Sequence, residues 1–135
     1  MKKINTIALV SPPTSLEERY GKFAGAGSTM PSLGLLSLAA VARRAGFEPR
    51  IIEAAALGLS YRQVMDELAA MKPDMVGLTA TTLSIFNAHE MAQAVHGLDK
   101  GIITVVGGPH VSAVPRETLA RFPAFDFAVL GEGEE

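Results

Sequence analysis

The chain has 135 residues, 48% of them hydrophobic and 19% charged, with a net charge of −2 and no cysteine. That length and composition describe one folded domain with a core of its own rather than a disordered chain. The missing basic excess argues against a nucleic-acid partner, and no apolar run reaches the length of a bilayer span. Without cysteine, this chain can form neither disulfides nor thiolate-held zinc or iron–sulfur centres. Met1-Lys2-Lys3 leads straight into a strand pattern rather than a signal peptide, so a cytoplasmic location is expected.

Residues 4–10 form an apolar run closed by Ser11-Pro12-Pro13, which predicts strand one. The segment 14–30 is polar and carries Gly21, Gly25 and Gly27, far longer than the usual strand-to-helix connector; it reads as a functional loop or an ordered lid. Helix one follows Ser32, with Leu33, Leu36, Ala40 and Val41 at helical spacing and Gly46 as its stop. Residues 49–53 predict strand two. Ser60 and Gln63 have the form of a capping box opening helix two, whose apolar face is Val64, Leu68 and Met71.

Residues 75–78 predict strand three, ending in Thr79-Ala80-Thr81-Thr82. Ser84 is placed to cap helix three, which runs to about His96 with Ile85, Ala88, Ala92 and Val95 inward. Ile103-Thr104-Val105-Val106 is a β-branched run, the pattern of a strand buried on both faces, and it stops at Gly107-Gly108-Pro109-His110. Helix four starts at Pro115 and ends before Pro123, and residues 125–130 predict strand five, followed by Gly131-Glu132-Gly133-Glu134-Glu135. Strands alternating with helices imply an α/β, flavodoxin- or Rossmann-like three-layer sandwich with a five-stranded parallel sheet of order 2-1-3-4-5. Four helices for five strands leave one face of strand five uncovered. The chain is therefore expected to be a truncated N-terminal piece of a longer protein, with Phe125, Phe127 and Val129 exposed on a flank prone to self-association.

Four strand ends converge on one edge: Ser11 and Pro12; Thr79, Ala80, Thr81 and Thr82; Gly107, Gly108, Pro109 and His110; and Gly131, Glu132 and Gly133. In open parallel sheets ligands lie at the carboxyl ends of the strands. Small and hydroxylated residues there suit a large ligand lying against backbone better than side-chain acid–base catalysis. Gly107 and Gly108 either admit that ligand or make a tight turn. Neither a dinucleotide fingerprint after strand one nor a P-loop is present. Of the histidines, His96 reads as a solvated helix-end residue, His89 as surface or lightly packed, and His110 as a ligand-edge residue without the companions a zinc site needs.

Three stretches resemble a known family. Pro31-Ser32-Leu33-Gly34-Leu35-Leu36-Ser37-Leu38-Ala39-Ala40, Val106-Gly107-Gly108-Pro109-His110 and Gly131-Glu132-Gly133-Glu134 look like the N-terminal cobalamin-binding domain of cobalamin-dependent radical SAM enzymes, including relatives of anaerobic magnesium-protoporphyrin ester cyclase. The resemblance spans essentially all 135 residues. It implies cobalamin bound at the sheet edge, with Pro31, Leu33 and Gly34 joining the edge residues named above. It also implies a downstream radical SAM domain holding S-adenosylmethionine and a 4Fe–4S cluster, both outside this chain. Cobalamin domains of the methionine-synthase type carry DxHxxG, whose histidine ligates cobalt. Counted back from Gly34, this chain reads Thr29-Met30-Pro31-Ser32-Leu33-Gly34, and proline has no side-chain ligand atom. The resemblance thus implies base-off cobalamin without a histidine ligand, in a parent methyltransferase or cyclase; the piece alone is not expected to turn over substrate. The rival reading is a flavodoxin-like interaction or regulatory domain with a vestigial ligand edge.

Overall fold

The computed structural model describes residues 2–26 and 30–135. Its strands are β1 (Thr6–Ser11), β2 (Glu48–Glu53), β3 (Met75–Thr79), β4 (Ile103–Gly107) and β5 (Phe127–Ala128). They form one sheet in the order β2-β1-β3-β4-β5, every neighbouring pair parallel. Parallel neighbours need crossovers, and the helices supply them: α1 (Leu16–Tyr20), α2 (Leu33–Arg44), α3 (Ala54–Leu57), α4 (Tyr61–Met71), α5 (Ile85–Leu98), α6 (Pro109–Ala113) and α7 (Pro115–Arg121).

Alternate residues of a strand point to opposite faces of the sheet. One face carries Ala8, Val10, Val76, Leu78, Thr104 and Val106, each at most 2% exposed. Val64 and Leu68 of α4, Ile85, Ala88, Met91, Ala92 and Val95 of α5, and Phe122 after α7 seal it into the main core. On the other face Ile7 and Leu9 pack under Leu35 and Ala39 of α2. Further across, Met75, Gly77, Val105 and Gly107 are only half-buried.

The sheet order and the two strongest helix starts are as expected. Ser60 and Gln63 close both halves of the capping box on α4, and Ser32 Oγ accepts the Leu35 amide at the start of α2. Several expectations change. The strand ladder opens at Thr6 rather than Ile4, where the Asp74 carboxylate takes the Asn5 and Thr6 amides at 2.9 and 3.0 Å. The segment 14–30 contains α1 and a 3₁₀ stretch, Gly21–Ala26; Gly27 and Thr29 lie outside the described residues. In α2 the buried residues are Leu35 and Ala39, while Leu33 is 78% and Leu36 49% exposed and Ala40 also faces out. That helix is apolar on almost every side, so spacing alone does not choose its inward face.

Ser84 holds the N-cap position of α5 as expected, but its side chain makes no capping bond: Oγ accepts the Thr81 amide at 3.0 Å instead, closing the turn between β3 and α5. A short helix, α6, precedes α7, with Pro109 in its first turn. Strand five pairs only over Phe127 and Ala128. Phe125 is 4% exposed and belongs to the sealed core, so it is not part of the bare flank; Phe127 and Val129, at 59% and 38%, are.

His96 is not a free helix-end residue. Its Nε2 lies 3.2 Å from Asp126 Oδ2, tying α5 to the segment before β5. Burial pushes the Asp126 carboxyl up, but hydrogen bonds from the Thr104 amide and hydroxyl and from His96 outweigh it and hold the group below the usual aspartate range. His89 packs edge-on against Phe125 and tilted against Phe122, and its buried Nε2 has no hydrogen-bond partner.

Candidate functional site

The carboxyl ends of β3 and β4 are locked together by backbone. Ala80 N–H donates to the Gly107 carbonyl at 2.9 Å, and His110 N–H donates to the Ala80 carbonyl at 3.3 Å. Gly108 sits between them with φ of 108°, a region that disfavours side chains. A Cβ on Gly108 would stand 2.7 Å from the Ala80 carbonyl oxygen. Its glycine therefore serves close approach of the chain to itself, not a ligand. Gly107 differs: a Cβ there would meet nothing nearer than the Val129 carbonyl oxygen at 3.7 Å. Of the two readings of this pair, turn and ligand approach, Gly108 takes the first and Gly107 remains open to the second.

The half-bare sheet face is the floor of a groove of about 410 Å³. Met75, Gly77, Val105 and Gly107 form part of its floor, Leu35, Leu38, Val41 and Ala42 of α2 form one wall, and Val129 and the tail from Gly131 to Glu134 form the other. The tail reaches across to α2, where a Cβ on Gly133 would come within 3.0 Å of Leu38 Cδ2. Gly131, at φ of 66°, makes that turn, with its N–H donating to Ser112 Oγ at 3.0 Å.

A second, polar cleft of about 290 Å³ lies at the carboxyl ends of β1 and β3, beneath α1. Ser11, Pro12, Thr14, Thr81, Ser84 and Pro109 line it, together with Arg19. Ser32 and Thr79 line both cavities, so groove and cleft meet at the start of α2 and the end of β3. The buried Glu53 carboxylate, at the end of β2, accepts the Ser32 amide at 2.6 Å and fixes that meeting point.

The residues picked from sequence divide accordingly. Gly34, Thr79, Gly107, Gly108, Gly131, Glu132 and Gly133 line the groove; Ser11, Pro12, Thr79, Thr81 and Pro109 line the cleft. Ala80 is buried and acts through its backbone, while Thr82 Oγ1 lies 3.2 Å from His110 Nδ1. Pro31 and Leu33 are exposed and line neither cavity. Of the groove floor the sequence pointed to Gly107 but not to Met75, Gly77 or Val105, and it did not point to the cleft's cation. A glycine interrupting a strand, as Gly77 does, was the available signal for the floor; Arg19 carried none. Among the described residues no three His, Asp or Glu side chains gather as a metal site would require.

A parallel sheet with an apolar groove and a hydroxyl-lined cleft opening at its carboxyl edge defines a ligand-binding α/β domain. Residues 23–135 match the family model of the B12 binding domain, and the chain belongs to that family. It is 35% identical over 133 residues to an uncharacterized methyltransferase of Pyrococcus horikoshii, covering 98% of this chain and 28% of the relative. It is 32% identical over 111 residues to the anaerobic magnesium-protoporphyrin IX monomethyl ester cyclase of Cereibacter sphaeroides, covering 82% of this chain and 18% of that enzyme. Among solved structures, the cobalamin-dependent S-adenosylmethionine radical enzyme OxsB, with aqua-cobalamin and S-adenosylmethionine bound, superposes with a TM-score of 0.77 at 20% identity, over 98% of this chain and 17% of that one. The radical S-adenosylmethionine methyltransferase TsrM from Kitasatospora setae gives 0.75 at 18% identity, over 96% and 24%. The chain thus spans less than a third of the curated relatives it matches. Among the described residues no helix is long and apolar enough to cross a membrane.

Proposed function

We propose that this chain is the cofactor-holding module of a cobalamin-dependent radical SAM enzyme, a methyltransferase or cyclase, and that it holds cobalamin base-off without a histidine beneath the cobalt. One observation supports this most: an apolar groove, floored by glycines, opens onto a hydroxyl-lined carboxyl edge. The residues suit the group. Gly77 and Gly107 leave the sheet without side chains where a flat apolar moiety would lie, and Ser32 and Thr79 stand at the mouth to hydrogen-bond amides and hydroxyls. We assign the groove-lining Gly34, Thr79, Gly107, Gly131, Glu132 and Gly133 to that contact, with Ser11, Pro12 and Thr81 at its polar end.

When bound, cobalamin would supply a cobalt centre able to carry a methyl group. The chain's own contribution is placement. Glu53 anchors the start of α2 through the Ser32 amide, Ala80 and Gly107 keep the ends of β3 and β4 together, and the tail from Gly131 covers one side of the groove. The Pro31 side chain offers no ligand atom to cobalt. S-adenosylmethionine and its 4Fe–4S cluster belong, on this reading, to a downstream radical SAM domain of the same parent polypeptide, in the cytoplasm. The bare flank at β5 is, again on this reading, a surface for self-association in the isolated chain.

Titrating the chain with hydroxocobalamin tests the proposal. Retention of cobalamin through gel filtration with a base-off visible spectrum is expected. A base-on or histidine-ligated spectrum overturns the ligand assignment, and no retention by this chain or a longer one overturns the binding assignment.

A further inference from the structure

The polar cleft beneath α1 has a chemistry that the groove lacks. Among the described residues Arg19 is the one charged group lining it, together with the hydroxyl-bearing Ser11, Thr14, Ser32, Thr79 and Thr81. Among the described residues the Arg19 guanidinium has no carboxylate within ion-pair distance. The adjacent Glu18 cannot neutralise it cheaply, because that carboxylate is already committed: it accepts the Ser15 amide at 2.6 Å, completing the capping box of α1. The Ser15 amide, against the opposing effect of burial, and then the Ser15 hydroxyl and Asn87 hold Glu18 below its ordinary pKa.

The position of Arg19 is also built rather than incidental. Asn87 of α5 donates through Nδ2 to the Pro13 carbonyl at 2.8 Å, so the chain leading into α1 is tied to the sealed side of the sheet. Ser15 and Glu18 then fix the first turn, and Arg19 follows one residue later. The guanidinium stands over the Tyr20 ring, 5.8 Å from its centroid, and so keeps its donors free of any carboxylate; a cation of that kind lining a cleft with several hydroxyls, and with no acid among the described lining residues, is complementary to an oxyanion.

We propose that this cleft is an oxyanion site, in which Arg19 and the surrounding hydroxyls take a phosphate or carboxylate group. Because Ser32 and Thr79 line both cavities, the oxyanion can be the phosphodiester of a ligand whose apolar part lies in the groove; that source rests on the cobalamin reading above. It can equally be the acidic group of a separate small molecule, which does not.

Two titrations on the intact chain and on Arg19→Gln separate the sources. The first uses inorganic phosphate and acetate, followed by calorimetry. The second compares cobalamin with cobinamide, which lacks the phosphodiester, followed by visible absorbance. If the oxyanion is the phosphodiester, Arg19→Gln weakens cobalamin about tenfold, the scale of one charge-assisted hydrogen bond, and leaves cobinamide unchanged. If it is a separate molecule, the variant loses phosphate or acetate binding by a similar factor, with both corrinoids unaffected, and Arg19→Lys restores part of it. Equal behaviour of the two chains toward all four ligands, or an equal loss for cobalamin and cobinamide alone, overturns the proposal. Should neither this chain nor a longer one bind a corrinoid, the cobalamin reading falls while phosphate and acetate still decide the cleft.

Discussion

The two faces of the sheet are made by the same strands and meet opposite fates. Val10, Val76, Leu78 and Val106 share a core with residues of α4 and α5 and with Phe122, and are nearly inaccessible. Their neighbours Met75, Gly77, Val105 and Gly107 face a groove that α2 covers from one side only. The contrast is in residue size as well as in covering. The sealed face is paved with branched side chains that fill space, whereas the open face places glycine in both β3 and β4. A packed core tolerates no such gaps, because each missing methylene forfeits dispersion contacts and leaves a void. At Gly107 the missing side chain leaves room beside the backbone, whereas at Gly77 the Leu9 side chain leans into the place of a Cβ, to within 3.0 Å. What separates core from site in this molecule is which side of one strand a residue faces.

The most direct way to break that comparison is to cut back one apolar side chain on each face. Leu78→Ala, on the sealed side, should cost about 2–5 kcal/mol in denaturant unfolding, as expected for a large-to-small change in a closed core. Val105→Ala, one strand away and half-exposed over the groove, should cost under about 1.5 kcal/mol, because solvent already reaches the site. Equal losses would mean that the groove is as closed as the core.

Neighbouring glycines give a second contrast. Gly108→Val forces a Cβ against the Ala80 backbone and adds a positive-φ penalty of about 1–3 kcal/mol, so the variant should be strongly destabilised whether or not ligand is present. Gly107→Val places its Cβ in ordinary contact only, so its melting temperature should stay within a few degrees while its side chain intrudes on the groove. Cobalamin affinity, measured by absorbance titration, should then fall at least about tenfold, since an interior-like site yields little to an added side chain. A stable Gly108→Val, or full binding by Gly107→Val, would reverse the division between the two residues.

The outer end of the open face sets up a third test. Val105 is in register with Phe127, so the bare surface continues onto β5, where Phe127 is 59% exposed. Leaving such a side chain in water forgoes roughly 1.5–3 kcal/mol of burial. Light scattering is expected to show concentration-dependent association of the chain, and Phe127→Lys is expected to return it to a monomer. A monomer at all concentrations before any substitution would mean that this flank is self-sufficient.

Strand order was readable because buried runs, proline and glycine stops, and capping boxes are local signals, each carried by a few adjacent residues. What was not readable depended on partners far along the chain. Leu33 and Leu35 are equally apolar, and only the position of Ile7 and Leu9 decides that Leu35 turns in. The glycine pair at 107 and 108 announces a special backbone, but not which member faces the chain itself and which faces the groove. From sequence His96 reads as solvated, because its partner Asp126 lies 30 residues away, and Arg19 gives no signal, because the hydroxyls that share its cleft come from separate parts of the chain. The edge residues were legible as a class, small and polar, while their sorting into groove and cleft required the sheet to be assembled.

The smallest expected effect lies at His89, where the sealed face carries a flaw. Its Nε2 is buried without a partner between Phe122 and Phe125, and burial lowers its pKa from the ordinary 6.5. In the unfolded chain the imidazole takes up a proton as pH falls through about 6.5, whereas the folded chain resists it until lower pH. The unfolded state thus binds more protons in that window. Stability contributed by the neutral ring is complete above about pH 6.5 and is lost as pH falls through the lowered folded value. His89→Leu removes both the orphaned nitrogen and the titration. It should raise the melting temperature by about 2–4 °C near neutral pH, in line with a modest gain in a domain of this size. The advantage over the unaltered chain should widen on acidification from pH 7 toward 5. All other titrating groups are common to the two chains, so the difference between their melting curves isolates His89. A constant difference across that range would show that the ring is open to water rather than sealed with the core.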